Sequence, residues 1–130
     1  MSIPFNYSMY ETSGVNGKVK EVKGILSFID GELLFEYKVY DMNGNGLSNL
    51  SKFSIQLDHI KRIEFKKGLF FSANKLIIEA NQWAFFEPLP GSEQGKVTLR
   101  IKRTDKNEAI RFSTKMNLYM SRKRLSEMDD

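Results

Sequence analysis

From Gly24 onward the chain alternates apolar and polar side chains with a period of two, the mark of strands that bury one face. Ile25 to Ile29 is a short apolar run ending at Asp30-Gly31, after which Leu33, Phe35, Tyr37 and Val39 alternate with Glu32, Leu34, Glu36 and Lys38. Asp-Gly between two such runs suits a two-residue type I′ turn, because both central positions there take positive φ. The spacing therefore predicts a tight β-hairpin. Asn43 to Gly46 reads as a loop, Phe53, Ile55 and Leu57 mark a third strand, and Ile63 and Phe65 mark a fourth with Arg62, Glu64 and Lys66 on its wet side. Gly68 opens a loop holding Leu69, Phe70 and Phe71, and Lys75 to Ala80 is a fifth strand.

The segment from Asn81 to Gly95 combines Trp83, Phe85 and Phe86 with Pro88, Pro90 and Gly91, so its first half reads as a short helix or strand and its second half as irregular. Val97, Leu99 and Ile101 then alternate with Lys96, Thr98, Arg100 and Lys102 in a sixth strand. Asp105 and Glu108 have the spacing of a capping box, and Ala109, Phe112, Met116, Tyr119 and Met120 share one stripe of a helix from about Lys106 to Arg124. Residues 108–114 also alternate through Ile110, Phe112 and Thr114, which leaves a final strand there as the alternative; the longer helix is preferred. Residues 1–17 show no period and read as a tail or loosely docked arm. That leaves a single domain over 18–125 and an acidic tail over 126–130.

Antiparallel strands closed by one amphipathic C-terminal helix resemble the pleckstrin-homology-like superfamily, and its small bacterial members in particular. The resemblance covers residues 24–124 and is carried by the Asp30-Gly31 hairpin, by Lys66-Lys67-Gly68 before the fifth strand, and by Pro90-Gly91-Ser92-Glu93-Gln94-Gly95 leading into Val97-Thr98-Leu99-Arg100-Ile101. It implies a mainly β fold, a two-sheet antiparallel β-sandwich or partly open barrel capped by the C-terminal helix, with seven strands. Six are counted above, so the seventh is expected from residues 17–23, 82–87 or 108–114. Eukaryotic relatives often bind phosphoinositides through bases around the first hairpin loop. Here that loop is Asp30-Gly31 flanked by Glu32, so the resemblance does not bring that activity to this chain.

Composition narrows the chemistry. With 41% hydrophobic and 28% charged residues, ten Phe and five Tyr, the 130-residue chain is that of a globular domain. It has no cysteine, which removes thiolate nucleophiles, disulfides and cysteine-held metal, and fits a reducing cytoplasm. The first ten residues have no basic, apolar and cleavable order of a secretory leader, and no run approaches the roughly 20 apolar residues of a membrane span. His59, the only histidine, sits at a turn beside Asp58 and reads as a solvated or locally hydrogen-bonded turn residue. Asp30, Glu32 and Glu36 occupy the outer positions of a hairpin, where acids are ordinary. The glycine loops match no phosphate-binding fingerprint. No catalytic residue, metal site or cofactor is assigned, and an enzyme is not expected.

Two surfaces remain. Ten bases against three acids lie in residues 91–124, and on a helix Arg111, Lys115 and Arg122 fall away from the apolar stripe; with outward Arg100 and Lys102 they are a candidate anion-binding surface for acidic lipid, nucleic acid or an acidic protein. Leu69, Phe70, Phe71, Trp83, Phe85 and Phe86, in or near loops, are a candidate interface. The sequence expectation is a non-enzymatic binding or scaffold domain acting through contact with a protein partner or with itself, the alternative being a peripheral anion-binding module.

Overall fold

The computed structural model of the protein describes residues 1–11 and 18–128. Seven strands run antiparallel: β1 (Ser2–Glu11), β2 (Lys18–Ile29), β3 (Glu32–Tyr40), β4 (Ser51–Gln56), β5 (Ile60–Lys66), β6 (Asn74–Ala80) and β7 (Lys96–Ile101). They are followed by one helix, α1 (Lys106–Met128). The sheet order is β4-β3-β2-β1-β7-β6-β5, and it does not close on itself. Its halves, β4-β3-β2-β1 and β7-β6-β5, meet through a single pairing, Asn6 with Arg100, so the sheet folds over at β1 and β7 into a sandwich that α1 caps.

The expected hairpin is present. Asp30 and Gly31 have φ of 53° and 80°, both in the left-handed region that a type I′ turn demands, and the register runs from Ile29 with Glu32 down to Glu21 with Tyr40. Gly24 answers a different demand. A Cβ there would lie 2.2 Å from the Glu36 carbonyl oxygen and 2.8 Å from the Phe5 ring, so only glycine lets β1 and β3 close on β2 at that row. In the loop after β3, the Asp41 carboxylate accepts the backbone N–H groups of Asn45 and Asn43 at 2.8 and 3.0 Å. Those bonds, that from Asn45 first, hold it below the usual carboxylate range.

The N-terminus corrects the sequence reading. Residues 2–11, expected to be a tail or arm, form β1 in the middle of the sheet, paired with β2 from Ser2 with Ser27 to Glu11 with Lys18. Ile3, Phe5 and Tyr7 alternate into the core with Pro4, Asn6 and Ser8 between them, so the segment does carry a period of two, and its reading as a tail overlooked it. None of the segments expected to supply the seventh strand does so: 18–23 prolongs β2, Trp83–Phe86 is a 3-10 turn, and 108–114 is helix. Residues 2–11 are therefore part of the sheet, outside the expected bounds of 18–125. Residues 126–128, expected in an acidic tail, continue α1; residues 12–17 and 129–130 lie outside the described residues.

The helix follows the preferred reading. Ala109, Phe112, Ser113, Met116 and Met120 are buried, and Tyr119, partly exposed, stacks on Phe28 at 5.6 Å. Removing Phe112 and Met116 from water contributes roughly 1.5–3 kcal/mol each. Glu108 accepts a bond from Arg111 at 2.9 Å, and the expected capping exchange with Asp105 is not seen among the described residues. Asn117 donates to the Ile63 carbonyl at 2.9 Å and Arg124 to the Lys61 carbonyl at 3.2 Å, so α1 also covers the free edge of β5. Among the described residues no helix is long and apolar enough to cross a membrane.

Candidate docking site

The β5–β6 hairpin is paired from Ile60 with Ala80 to Lys66 with Lys75, and residues 67–73 extend beyond the last pair. Ser72 donates its N–H to the Leu69 carbonyl at 3.0 Å, closing a four-residue turn with Phe70 and Phe71 at its apex. Gly68 donates its N–H to Asn74 Oδ1 at 2.9 Å, which anchors the base of the turn. Phe70 has φ of 59°, a left-handed conformation rare for a bulky side chain. Its relative exposure is 99%, that of Phe71 is 105%, and Leu69 is 68% exposed. These three apolar side chains therefore stand clear of the rest of the protein.

A basic row lies beneath them. Lys66 pairs with Lys75 across the hairpin, and Lys75 pairs with Arg100 on β7, which places three bases side by side on the outer face of neighbouring strands. Cross-strand like charges oppose one another, so this row does not exist to stabilise the hairpin. Arg100 is engaged elsewhere: it donates to Ser8 Oγ at 2.8 Å and lies 4.0 Å from the Glu21 carboxylate. Lys66, Lys67 and Lys75 are exposed and, among the described residues, make no ion pair. Residues 65–78 contain these three lysines and no acid. That acid-free window was the available sequence signal for the lysines, overshadowed by the larger basic excess in residues 91–124.

The second aromatic segment is placed differently. Phe86 is fully buried, its ring 6.2 Å from Phe35 in an edge contact and 5.8 Å from Phe53. Phe85 stacks face to face on His59, with centroids 4.1 Å apart and planes within 5°. Only Trp83, 65% exposed, remains open to solvent. The structure thus splits the candidate interface, keeping Leu69, Phe70 and Phe71 together and assigning Phe85 and Phe86 to packing.

The candidate anion-binding residues are not gathered into one surface. Arg100 projects from the outer face of β7, where it alternates with buried Val97, Leu99 and Ile101, while α1 packs its buried stripe on the inner side. Lys102 is exposed beside Pro4 and Glu21. On α1, Arg111 is bonded to Glu108 at 2.9 Å and Lys115 lies 5.9 Å from the Tyr119 ring centroid, while Arg122 is exposed. Further along, Lys123 pairs with the Asp58 carboxylate. Asp58 and Lys123, already paired, line an open depression of about 280 Å³ with Tyr119 and Glu127. His59 holds its ring against Phe85, so Asp58 and His59 do not converge on a common point. Among the described residues no group of three or more potential metal ligands comes together.

No family model, curated protein or solved structure matches the chain. What the molecule does must therefore be argued from its own surface. On that surface the turn at Leu69–Ser72 is where exposure, backbone strain and unpaired charge coincide.

Proposed function

We propose that this chain is a non-enzymatic docking domain of pleckstrin-homology-like type whose contact surface is the tip of the β5–β6 hairpin. The observation that carries the reading is the full exposure of Phe70 and Phe71 at an apex that folding gains nothing from. Each such ring forgoes roughly 1.5–3 kcal/mol that burial would contribute. The left-handed φ of Phe70 adds a cost of about 1–2 kcal/mol that glycine would avoid. Two unfavourable features at one turn, with nothing in the fold to offset them, point to a gain made on contact with something else.

The sandwich supplies the rigidity. Strands β5 and β6 are held on one side by β7 and on the other by α1, so the tip projects from a fixed base and loses little freedom on docking. The broader sequence expectation, in which Trp83, Phe85 and Phe86 share the interface, narrows to Leu69, Phe70 and Phe71. The anion-binding alternative through α1 is less well supported, because Arg111 and Arg100 already hold acids of their own chain.

The test compares the wild-type chain with the Phe70→Ser/Phe71→Ser double variant. Self-association is followed by light scattering at two salt concentrations, and membrane association by vesicle sedimentation. The reading requires that whichever association the wild type shows is lost in the double variant while thermal unfolding stays unchanged. Association that survives the double substitution and vanishes with salt would return the function to the cations of α1.

A further inference from the structure

Resting on the docking reading above, we infer that the surface which receives this tip is an anionic lipid bilayer, with Phe70 and Phe71 inserted among the acyl chains and Lys66, Lys67 and Lys75 at the headgroups. Three observations lead there.

The first is shape. The rings project from a convex turn with solvent on every side, and between Gly68 and Phe71 no side chain offers a hydrogen bond that would fix an orientation against a protein. A protein would have to present a socket matched to both rings, whereas the bilayer interface accepts an apolar wedge of any shape.

The second is charge. Three lysines that make no ion pair among the described residues surround the root of the tip, and no acid lies between Phe65 and Ile78. A tip-to-tip contact between two copies would bring both lysine sets together, and like charges there oppose association. An anionic sheet of lipid accommodates all three lysines at once.

The third is depth and backbone. Three residues lie between Lys66 and Phe70, four chain steps that reach at most about 13 Å at strand spacing and less through the turn, enough to cover the roughly 5–10 Å to which interfacial segments enter a bilayer. Within that reach the Gly68 N–H is held by Asn74 and the Leu69 carbonyl by Ser72, so two of the polar backbone groups that would be carried inward are already satisfied.

The experiment is sedimentation of the full chain with phosphatidylcholine vesicles, with and without phosphatidylglycerol, at low and moderate salt, alongside light scattering of the chain alone. Wild type is expected to bind the phosphatidylglycerol vesicles about tenfold or more tightly than the neutral ones. Phe70→Ser/Phe71→Ser and, separately, Lys66→Gln/Lys67→Gln/Lys75→Gln should each weaken that binding by about tenfold or more, with unchanged melting curves. Arg111→Gln/Lys115→Gln/Arg122→Gln, on α1, should change it by less than about twofold. Binding that depends on the α1 set and ignores the phenylalanines overturns both the lipid inference and the docking tip. Absence of vesicle binding together with self-association abolished by Phe70→Ser/Phe71→Ser overturns the lipid inference and leaves the docking tip standing. Absence of both associations overturns the lipid inference.

Discussion

Two stretches of this chain carry a Phe-Phe pair in a connecting segment, and they have opposite fates. Phe85-Phe86 follows β6 in a 3-10 turn that folds back across the sandwich, setting Phe86 against both Phe35 and Phe53 and laying Phe85 on His59. Phe70-Phe71 precedes β6 at the end of a hairpin that runs past its last paired residues, where the sheet has no inner face left to offer. Composition is alike in the two places. What differs is the scaffolding: around Phe86, Ser92 Oγ donates to the Phe86 carbonyl at 2.7 Å and Tyr7 donates its hydroxyl to the Pro90 carbonyl at 2.6 Å, which ties the segment to β1. Among the described residues, the turn at Phe70 is bonded only within itself and to Asn74. An aromatic pair held by the rest of the fold is structure, and one left outside it is available for contact.

Four substitutions press on that contrast, in decreasing order of expected effect. Phe86→Ala empties the space beside Phe35 and Phe53 and should destabilise the domain by about 3–5 kcal/mol in chemical unfolding, whereas the same change at Phe71 should register almost nothing. Tyr7→Phe removes the strap to Pro90 and should cost about 1 kcal/mol. Burial, with Tyr37 nearby, pushes the Tyr7 phenol above its usual value of 10.0. The folded state then keeps a proton that the unfolded chain releases, so the stability contribution is complete below pH 10 and is lost as pH climbs through the raised value. An alkaline unfolding series should therefore be flatter for Tyr7→Phe than for wild type; equal slopes would deny the Tyr7 hydroxyl its buried role.

The third variant, Phe70→Gly, relieves the left-handed strain and is expected to raise stability by up to about 1 kcal/mol, a gain that would mark this phenylalanine as present for something other than folding. A clear loss of stability would show that the ring supports the turn. Last, Phe70→Ser/Phe71→Ser should leave the stability within about 0.5 kcal/mol of wild type while removing the association that the proposed vesicle and light-scattering experiments test. If Phe70→Ser/Phe71→Ser unfolded the domain as Phe86→Ala does, the contrast between the two pairs would collapse.

The candidate site was half legible in advance. Leu69, Phe70 and Phe71 stood out as apolar residues in a loop, but nothing local separated them from Trp83, Phe85 and Phe86, because which ring finds a cavity depends on strands distant in sequence. Likewise Arg100 read as a free cation until Glu21 came alongside from β2, and Arg111 did so although Glu108 lies three residues before it on the same helix, whereas Lys66, Lys67 and Lys75 drew little notice in a smaller cluster. Charge counted along the chain does not reveal which bases remain unpaired once strands are neighbours.

The sequence alone determined the strands from β2 to β7, the type I′ hairpin at Asp30-Gly31 and the buried stripe of α1, since each is written in side-chain periods or turn chemistry spanning a few residues. Only the tertiary structure decided that residues 2–11 are the central strand, that α1 covers the edge of β5, and that one Phe-Phe pair is core while the other is bare. The reason is the same in every case: a period says which side of a strand seeks cover, but the cover comes from partners far along the chain, as when Asn6 meets Arg100 to join the two halves of the sheet.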